Sequence, residues 1–196
     1  MKHCLSLISS LIFALVNIFI PAQAAAEPAL GSPTAAVTIV EYGSLTCDYC
    51  IKFHREVLPH LKQKYIDTGR VRYIFRDFPT STEATRGAVA ARCVKPEAYY
   101  PTLNSLFWSV GQWSKASDVD AALEQEAAKL SLSTAEFRKC LKNPASQAAV
   151  TQSGRQGAQE FDILGTPTFL INGQIVRGKQ TLEKMEALIV NAQKTP

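Results

Sequence analysis

Two cysteines two residues apart, Cys47-Asp48-Tyr49-Cys50, stand between a strand-like run and an amphipathic stretch, and that placement narrows the possible folds most. Residues 37–42 form the apolar run, Gly43-Ser44-Leu45-Thr46 is a short loop, and helical patterning begins at Ile51. A C-x-x-C in this setting reads as a redox pair rather than a metal clip. The free amide donors and positive dipole end of a helix N-terminus favour a thiolate, so Cys47 is expected to be the reactive sulfur.

Beyond the motif, Cys50, His54, Val57, Leu58 and Leu61 recur at helical spacing, Pro59 is expected to kink that helix, and Asp67-Thr68-Gly69 ends it. Residues 70–75 read as a second strand, parallel to the first, which completes a βαβ unit; Arg76-Asp77-Phe78-Pro79 is expected to leave the sheet. The next eighty residues carry helix starts and no convincing strand. Ser81-Thr82-Glu83, Ser117-Asp118, the capping box Ser133-Thr134-Ala135-Glu136 and the pair Asn143-Pro144 each open a helix. Strand character returns at residues 168–171, Asn172-Gly173 signals a tight hairpin, residues 174–176 form the return strand, and Thr181 starts a last helix. The order βαβ, helices, ββα is that of a thioredoxin fold (α/β) interrupted by an all-helical insertion. The expected division places a signal peptide at 1–24, the thioredoxin-fold domain at 34–79 and 161–194, and the insertion at 80–160.

The compartment follows from the N-terminus and the cysteine count. An almost uncharged run from Cys4 to Ile20 ends in Pro21-Ala22-Gln23-Ala24-Ala25-Ala26, with small-x-small cleavage options after Ala24 or Ala26, the layout of a secretory signal peptide. The alternative is an uncleaved anchor, since the run is only slightly short for a membrane span. Loss of Lys2 takes the formal charge from +4 to +3, too little to argue for a nucleic-acid partner. Of five cysteines, Cys4 leaves with the leader. The remaining four allow three connectivities, and the closeness of Cys47 and Cys50 favours Cys47–Cys50 with Cys93–Cys140.

Taken together, Val-Glu-Tyr-Gly-Ser-Leu-Thr-Cys-Asp-Tyr-Cys, Phe75-Arg76-Asp77-Phe78-Pro79 and Gly165-Thr166-Pro167-Thr168-Phe169-Leu170-Ile171-Asn172-Gly173 resemble the DsbA-like thiol:disulfide oxidoreductases. The resemblance runs in the family's order over nearly all of the chain that follows the leader. It implies that Pro167 is cis and lies beside the C-x-x-C, with Thr166 presenting backbone groups to an extended substrate. Tyr49, at the position of the family's histidine, is a candidate substrate contact. The resemblance also implies that Glu41 is a buried acid able to move a proton to or from Cys50. On the residues alone, Glu41 is equally a strand-end carboxylate reaching solvent or Arg72. Asp48 replaces the proline of the best-known members. A carboxylate roughly 6 Å from the thiolate is expected to raise the Cys47 pKa by on the order of 0.5–2 units, which makes Asp48 a candidate for redox tuning toward a milder oxidant.

Cys93 and Cys140 read as a structural disulfide stapling the insertion, worth about 4 kcal/mol in the chain-entropy treatment; a second redox pair and two buried thiols are the other readings. Cys47, Cys50 and His54 have partial metal-ligand spacing but lack a fourth ligand, so His54 reads as a helix-surface or packing residue and no metal is expected. Phe107, Trp108 and Trp113 are expected in the insertion's core. The resulting expectation is an exported, periplasmic or otherwise extracytoplasmic, monomeric oxidoreductase acting on reduced or unfolded exported proteins. It needs no dissociable cofactor beyond the Cys47–Cys50 disulfide, and the family resemblance implies reoxidation by a quinone-linked membrane oxidase. The rivals are a reductase or isomerase with the pair held reduced, and a copper or zinc chaperone using both thiolates.

Overall fold

The computed structural model describes residues 27–129 and 134–194. The proposed leader at 1–24 and Ser133 of the expected capping box therefore lie outside the described residues.

A four-stranded sheet has the order β2-β1-β3-β4. Strand β1 (Val37–Gly43) pairs in parallel with β2 (Val71–Asp77) and antiparallel with β3 (Thr168–Ile171), which turns at Asn172-Gly173 into β4 (Gln174–Arg177). Both turn residues have positive φ, 47° and 85°, as a two-residue hairpin turn of this hand demands. Period-two alternation puts Val37, Ile39 and Glu41 on one face of β1, opposite Val71, Tyr73 and Phe75 of β2. Arg72 pairs with Thr38 and so belongs to the opposite face. Parity alone thus sends the Glu41 carboxylate into the core and away from Arg72.

The second strand outlasts its expected end. Arg76 and Asp77 stay in register with Tyr42 and Gly43, and the Phe78 N–H still donates to the Gly43 carbonyl at 2.8 Å. Side-chain partners explain the correction. Arg76 is bound by Glu27 at 2.8 and 2.9 Å and by the Tyr42 hydroxyl at 3.0 Å, while buried Asp77 is paired with Arg92. Those partners supply what the charges would otherwise seek in water.

The motif helix begins with α1 (Asp48–Lys52), continues through a π-helical turn at Phe53–Val57 into α2 (Leu58–Leu61), and ends in a second π-helical turn at Lys62–Ile66. Pro59 cannot donate to the Arg55 carbonyl, and the wide turn preceding α2 accommodates that missing hydrogen bond. The expected disturbance at Pro59 is therefore spread over wide turns on both sides.

Among the described residues, five α-helices lie between β2 and β3: α3 (Thr82–Arg92), α4 (Tyr99–Trp113), α5 (Val119–Lys129), α6 (Thr134–Leu141) and α7 (Pro144–Phe161). Ser81 caps α3 by accepting from Ala84 N–H at 3.0 Å, and Asn143 caps α7 by accepting from Ala145 N–H at 2.9 Å. A disulfide joins Cys93 at the end of α3 to Cys140 in α6, with Cα atoms 5.6 Å apart. Phe107 and Trp113 are fully buried, as expected, and the Trp113 indole donates to the Leu106 carbonyl at 2.9 Å. Trp108 is not in the core. It is 56 % exposed, with the Arg55 guanidinium 5.4 Å over its ring, because it occupies the outer side of α4. Helix α8 (Leu182–Lys194) then packs Met185 and Ile189 into the sheet-side core. Among the described residues no helix is long and apolar enough to cross a membrane.

Candidate active site

The loop after β1 is held at both ends. The Ser44 hydroxyl lies 2.9 Å from that of Thr80 and that of Thr46 3.3 Å from Ser81, which ties the loop to the entrance of the helical block. Cys47 is the residue immediately before α1; its N–H donates to the Ser44 carbonyl at 3.1 Å and its own carbonyl accepts from Ile51 at 2.9 Å. Cys50 sits one turn along on the buried face. The side chains thus inherit opposite environments from one helical turn: Cys47 is partly exposed and Cys50 fully buried.

Both are free cysteines here, whereas the sequence favours a bond between them. Their sulfurs hydrogen-bond instead, and that contact is the strongest influence drawing the Cys47 pKa down from 9.0 to about 5. Partial burial opposes the change, while the Thr166 side chain and the amides of Cys50 and Tyr49 assist it. The Cys47 thiol itself donates to the Thr166 backbone carbonyl at 3.3 Å, a contact open only to the protonated sulfur. Cys50 moves the other way: burial, the Cys47 hydrogen bond and the Glu41 charge raise it well above the ordinary thiol value, against a weak donation from Ser44 N–H at 3.5 Å.

The Thr166–Pro167 bond is cis, and Thr166 stands against Cys47 across a sequence gap of 119 residues. Pro167 is buried and Thr166 half-buried. Tyr49 is 50 % exposed beside the pair. It borders a cavity of about 240 Å³ that is also lined by Phe53, Val57, Gln180 and Leu182. Asp48 is exposed in the first turn of α1 and is not among the leading influences on Cys47, which titrates low despite it. The expected upward push is outweighed by the Cys50, Thr166 and backbone donors, which touch the sulfur directly. Cys93 and Cys140 are bonded to each other and hold the insertion together.

Glu41 is completely buried. The Tyr73 hydroxyl donates to its Oε2 at 2.6 Å, and His54 Nε2 lies 3.3 Å from the same oxygen. Its Oε1 has no hydrogen-bond partner among the described residues. From the sequence, His54 reads as a helix-surface or packing residue. It does pack, stacked on Phe107 at 3.7 Å, but it also faces the acid that acts on Cys50. Its helical spacing after Cys50 is legible in the sequence, but its partners from β1, β2 and α4 are not. Leu164, 79 % exposed two residues before Thr166, is a second neighbour that sequence reasoning did not single out. Among the described residues no group of three or more His, Cys, Asp or Glu side chains is arranged to hold a metal ion.

A family model described as Thioredoxin matches residues 23–191. A candidate protein-disulfide oxidoreductase of Rickettsia conorii is 27% identical over 164 residues, covering 83% of this chain and 59% of the relative. A Rickettsia prowazekii counterpart is 28% identical over 145 residues, covering 74% of this chain and 53% of its own length. The chain therefore spans little more than half of these curated relatives. Among solved structures, Wolbachia pipientis alpha-DsbA1 aligns with TM-score 0.80 and 29% identity over 88% of this chain and 93% of that one. Bacillus subtilis BdbD, in its oxidised form, shares the fold with TM-score 0.76 and 21% identity over 86% and 93%.

Proposed function

Because this chain belongs to the thioredoxin family, as one of its DsbA-like members, we propose that it is a thiol:disulfide oxidoreductase that oxidises cysteine pairs of exported proteins through Cys47–Cys50. The observation that carries the reading is the asymmetric pair itself: Cys47 is half-exposed at the start of α1 against the cis Thr166–Pro167 turn, and Cys50 is buried behind it, an arrangement that lowers the Cys47 pKa and raises that of Cys50. A substrate thiolate attacks Cys47 Sγ of the oxidised pair. The Cys47–Cys50 bond breaks, its electron pair goes to Cys50, and a mixed disulfide forms at Cys47. A second substrate thiolate then attacks the substrate sulfur, forming the product disulfide and expelling Cys47 as a thiolate. A leaving thiol of low pKa departs readily, and a stabilised thiolate favours the reduced enzyme, so electrons flow from substrate to enzyme. Thr166 offers backbone groups to an extended segment beside Cys47, and exposed Tyr49 and Leu164 offer it apolar contact.

The extracytoplasmic setting is supported by the apolar, small-residue-terminated N-terminal run and by the Cys93–Cys140 bond, since structural disulfides persist in oxidising compartments. Reoxidation is assigned to a quinone-linked membrane oxidase. Equilibrating the pair against glutathione buffers tests the direction of electron flow. A potential between about −120 and −180 mV is expected, and one near about −270 mV would overturn the oxidase reading in favour of a reductant.

A further inference from the structure

Each time the Cys47–Cys50 bond opens, Cys50 is released as a thiolate in a place where burial and a neighbouring carboxylate disfavour it. A proton must therefore arrive, yet Cys50 and Glu41 have no exposed surface. Of the groups around Glu41, the Tyr73 phenol is fully buried and hard to ionise, so it holds the carboxylate rather than relaying for it. The remaining contact is His54, whose ring has two working sides. Nε2 faces Glu41 Oε2 at 3.3 Å, and the ring forms part of the wall of a cavity of about 550 Å³, together with Leu30, Leu58, Pro59, Tyr100 and Leu103.

Local structure fixes the ring in this position. The π-helical turn at Phe53–Val57 buries two consecutive side chains, Phe53 against Phe169 with ring centres 4.7 Å apart and His54 flat on Phe107. Wide turns of this kind recur at functional sites. Arg55 then clasps helix α4, donating to the Phe107 carbonyl at 3.2 and 2.8 Å and to that of Trp108 at 2.9 Å, which holds Phe107 against the imidazole. The titratable and charged groups facing the ring are Glu41 from β1, Tyr73 from β2 and, around the cavity, Tyr100 and Glu97 from the start of the helical block and Lys62.

We propose that His54 is the proton relay between Glu41 and the solvent of this cavity, so that Cys50 exchanges its proton through the rear of the site and not past Cys47. The proposal rests on the oxidoreductase reading and adds a route to it. On reduction of the enzyme, His54 passes a proton from Nε2 to the Glu41 carboxylate at Oε2, an N–H bond breaking as an O–H bond forms, while Nδ1 takes a proton from cavity water, drawn from bulk buffer. Glu41 then hands that proton to Cys50 Sγ: an S–H bond forms, the O–H bond breaks and the carboxylate is restored. On reoxidation the Cys50 proton runs back through Glu41 to Nε2, and Nδ1 releases its own. One proton enters and one leaves per cycle by the same path, so the stacked ring never has to turn over.

The test is stopped-flow reduction of the oxidised full chain by dithiothreitol from about pH 5 to about pH 9, with thermal midpoint and Cys47 thiolate titration measured alongside. His54→Phe, which preserves the stack on Phe107, is expected to slow reduction on the order of 10–100-fold and to flatten its pH profile, with the Cys47 titration unmoved. His54→Ala is expected to be slow and to regain rate in proportion to added imidazole, which the cavity accommodates. His54→Gln serves if the phenylalanine variant does not fold. Rates within twofold of wild type, or a loss that imidazole leaves untouched while the Cys47 titration moves, would overturn the relay. Absence of exchange by the wild-type chain itself would instead overturn the oxidoreductase reading.

Discussion

Replacing Cys50 by alanine removes the strongest influence on the Cys47 pKa and leaves the Thr166 side chain and the helix amides in place. A hydrogen bond to a charged group is worth about 1.5–3 kcal/mol net, which corresponds to about 1–2 pKa units. The Cys47 pKa is therefore expected to climb from about 5 to roughly 6–7. Absorbance of the thiolate at ultraviolet wavelengths, followed against pH, reads this directly, because Cys93 and Cys140 are bonded and silent. Stability must follow. A thiol whose folded pKa lies below its unfolded one stabilises the reduced fold fully above the unfolded value, here 9.0, and loses that stabilisation as pH falls through the folded value, here about 5. The four-unit gap corresponds to about 5 kcal/mol, which solvent screening at this half-exposed sulfur reduces to on the order of 2–3 kcal/mol. In Cys50→Ala the loss is complete at roughly pH 6–7. A variant that still titrates at about 5 would refute the reasoning and leave the helix amides and Thr166 as the controlling groups.

Four further outcomes are expected. Asp48→Asn should shift the Cys47 titration by no more than about 0.5 unit, the water-screened limit at roughly 6 Å; a larger change restores Asp48 as the main tuner. Arg92→Leu should destabilise the protein by about 2–3 kcal/mol at neutral pH, less than a fully buried pair because Arg92 is partly exposed. Burial already raises the Asp77 pKa above 3.8, so ionisation burdens the fold as pH rises, and urea titrations should show the variant's deficit shrinking toward pH 3.8. Removing both Cys93 and Cys140 should cost about 4 kcal/mol in denaturant unfolding while leaving the Cys47 titration in place. Gly157→Ala sets a methyl 2.4 Å from the Tyr42 ring, so its melting temperature should fall by the equivalent of about 1–3 kcal/mol.

Much of this site is legible in the chain because its signals are local or carried by motif. Residues 168–171 and the Asn172-Gly173 turn read directly, since the strand is β-branched and apolar and the turn needs residues that tolerate positive φ. The cap at Asn143-Pro144 was equally plain. Helix α4 was not, because Ala98 precedes it without a side-chain cap and Pro101 interrupts its first turn. The full extent of β2 was hidden because Arg76 and Asp77 look like a loop until Glu27, Tyr42 and Arg92 are brought beside them. His54 was obscured for a related reason: its partners come from β1, β2 and α4, and a one-dimensional pattern carries no record of which elements meet. Glu41 shows the opposite case. Its period-two phase with Val37 and Ile39 already points inward, and only the supposed rival partner, Arg72, concealed it.

Leu30 and Tyr73 exchange hydrogen bonds at 2.8 and 2.9 Å, and the Tyr100 hydroxyl accepts from the Phe75 N–H at 3.2 Å. These contacts occupy the outer margin of β2 with the chain's own groups. At the other margin β4 has four residues, with Gln174 and Arg177 exposed at its ends. If the proposed oxidase function holds, the protein meets unfolded chains and risks being stitched to them wherever a sheet presents unpaired backbone. Here one margin is partly filled and the other is short, with polar residues at both ends. On the proposed function, client chains are thereby directed to the backbone offered beside Thr166, where engagement ends when the mixed disulfide resolves, and away from margins where pairing would have no chemical release.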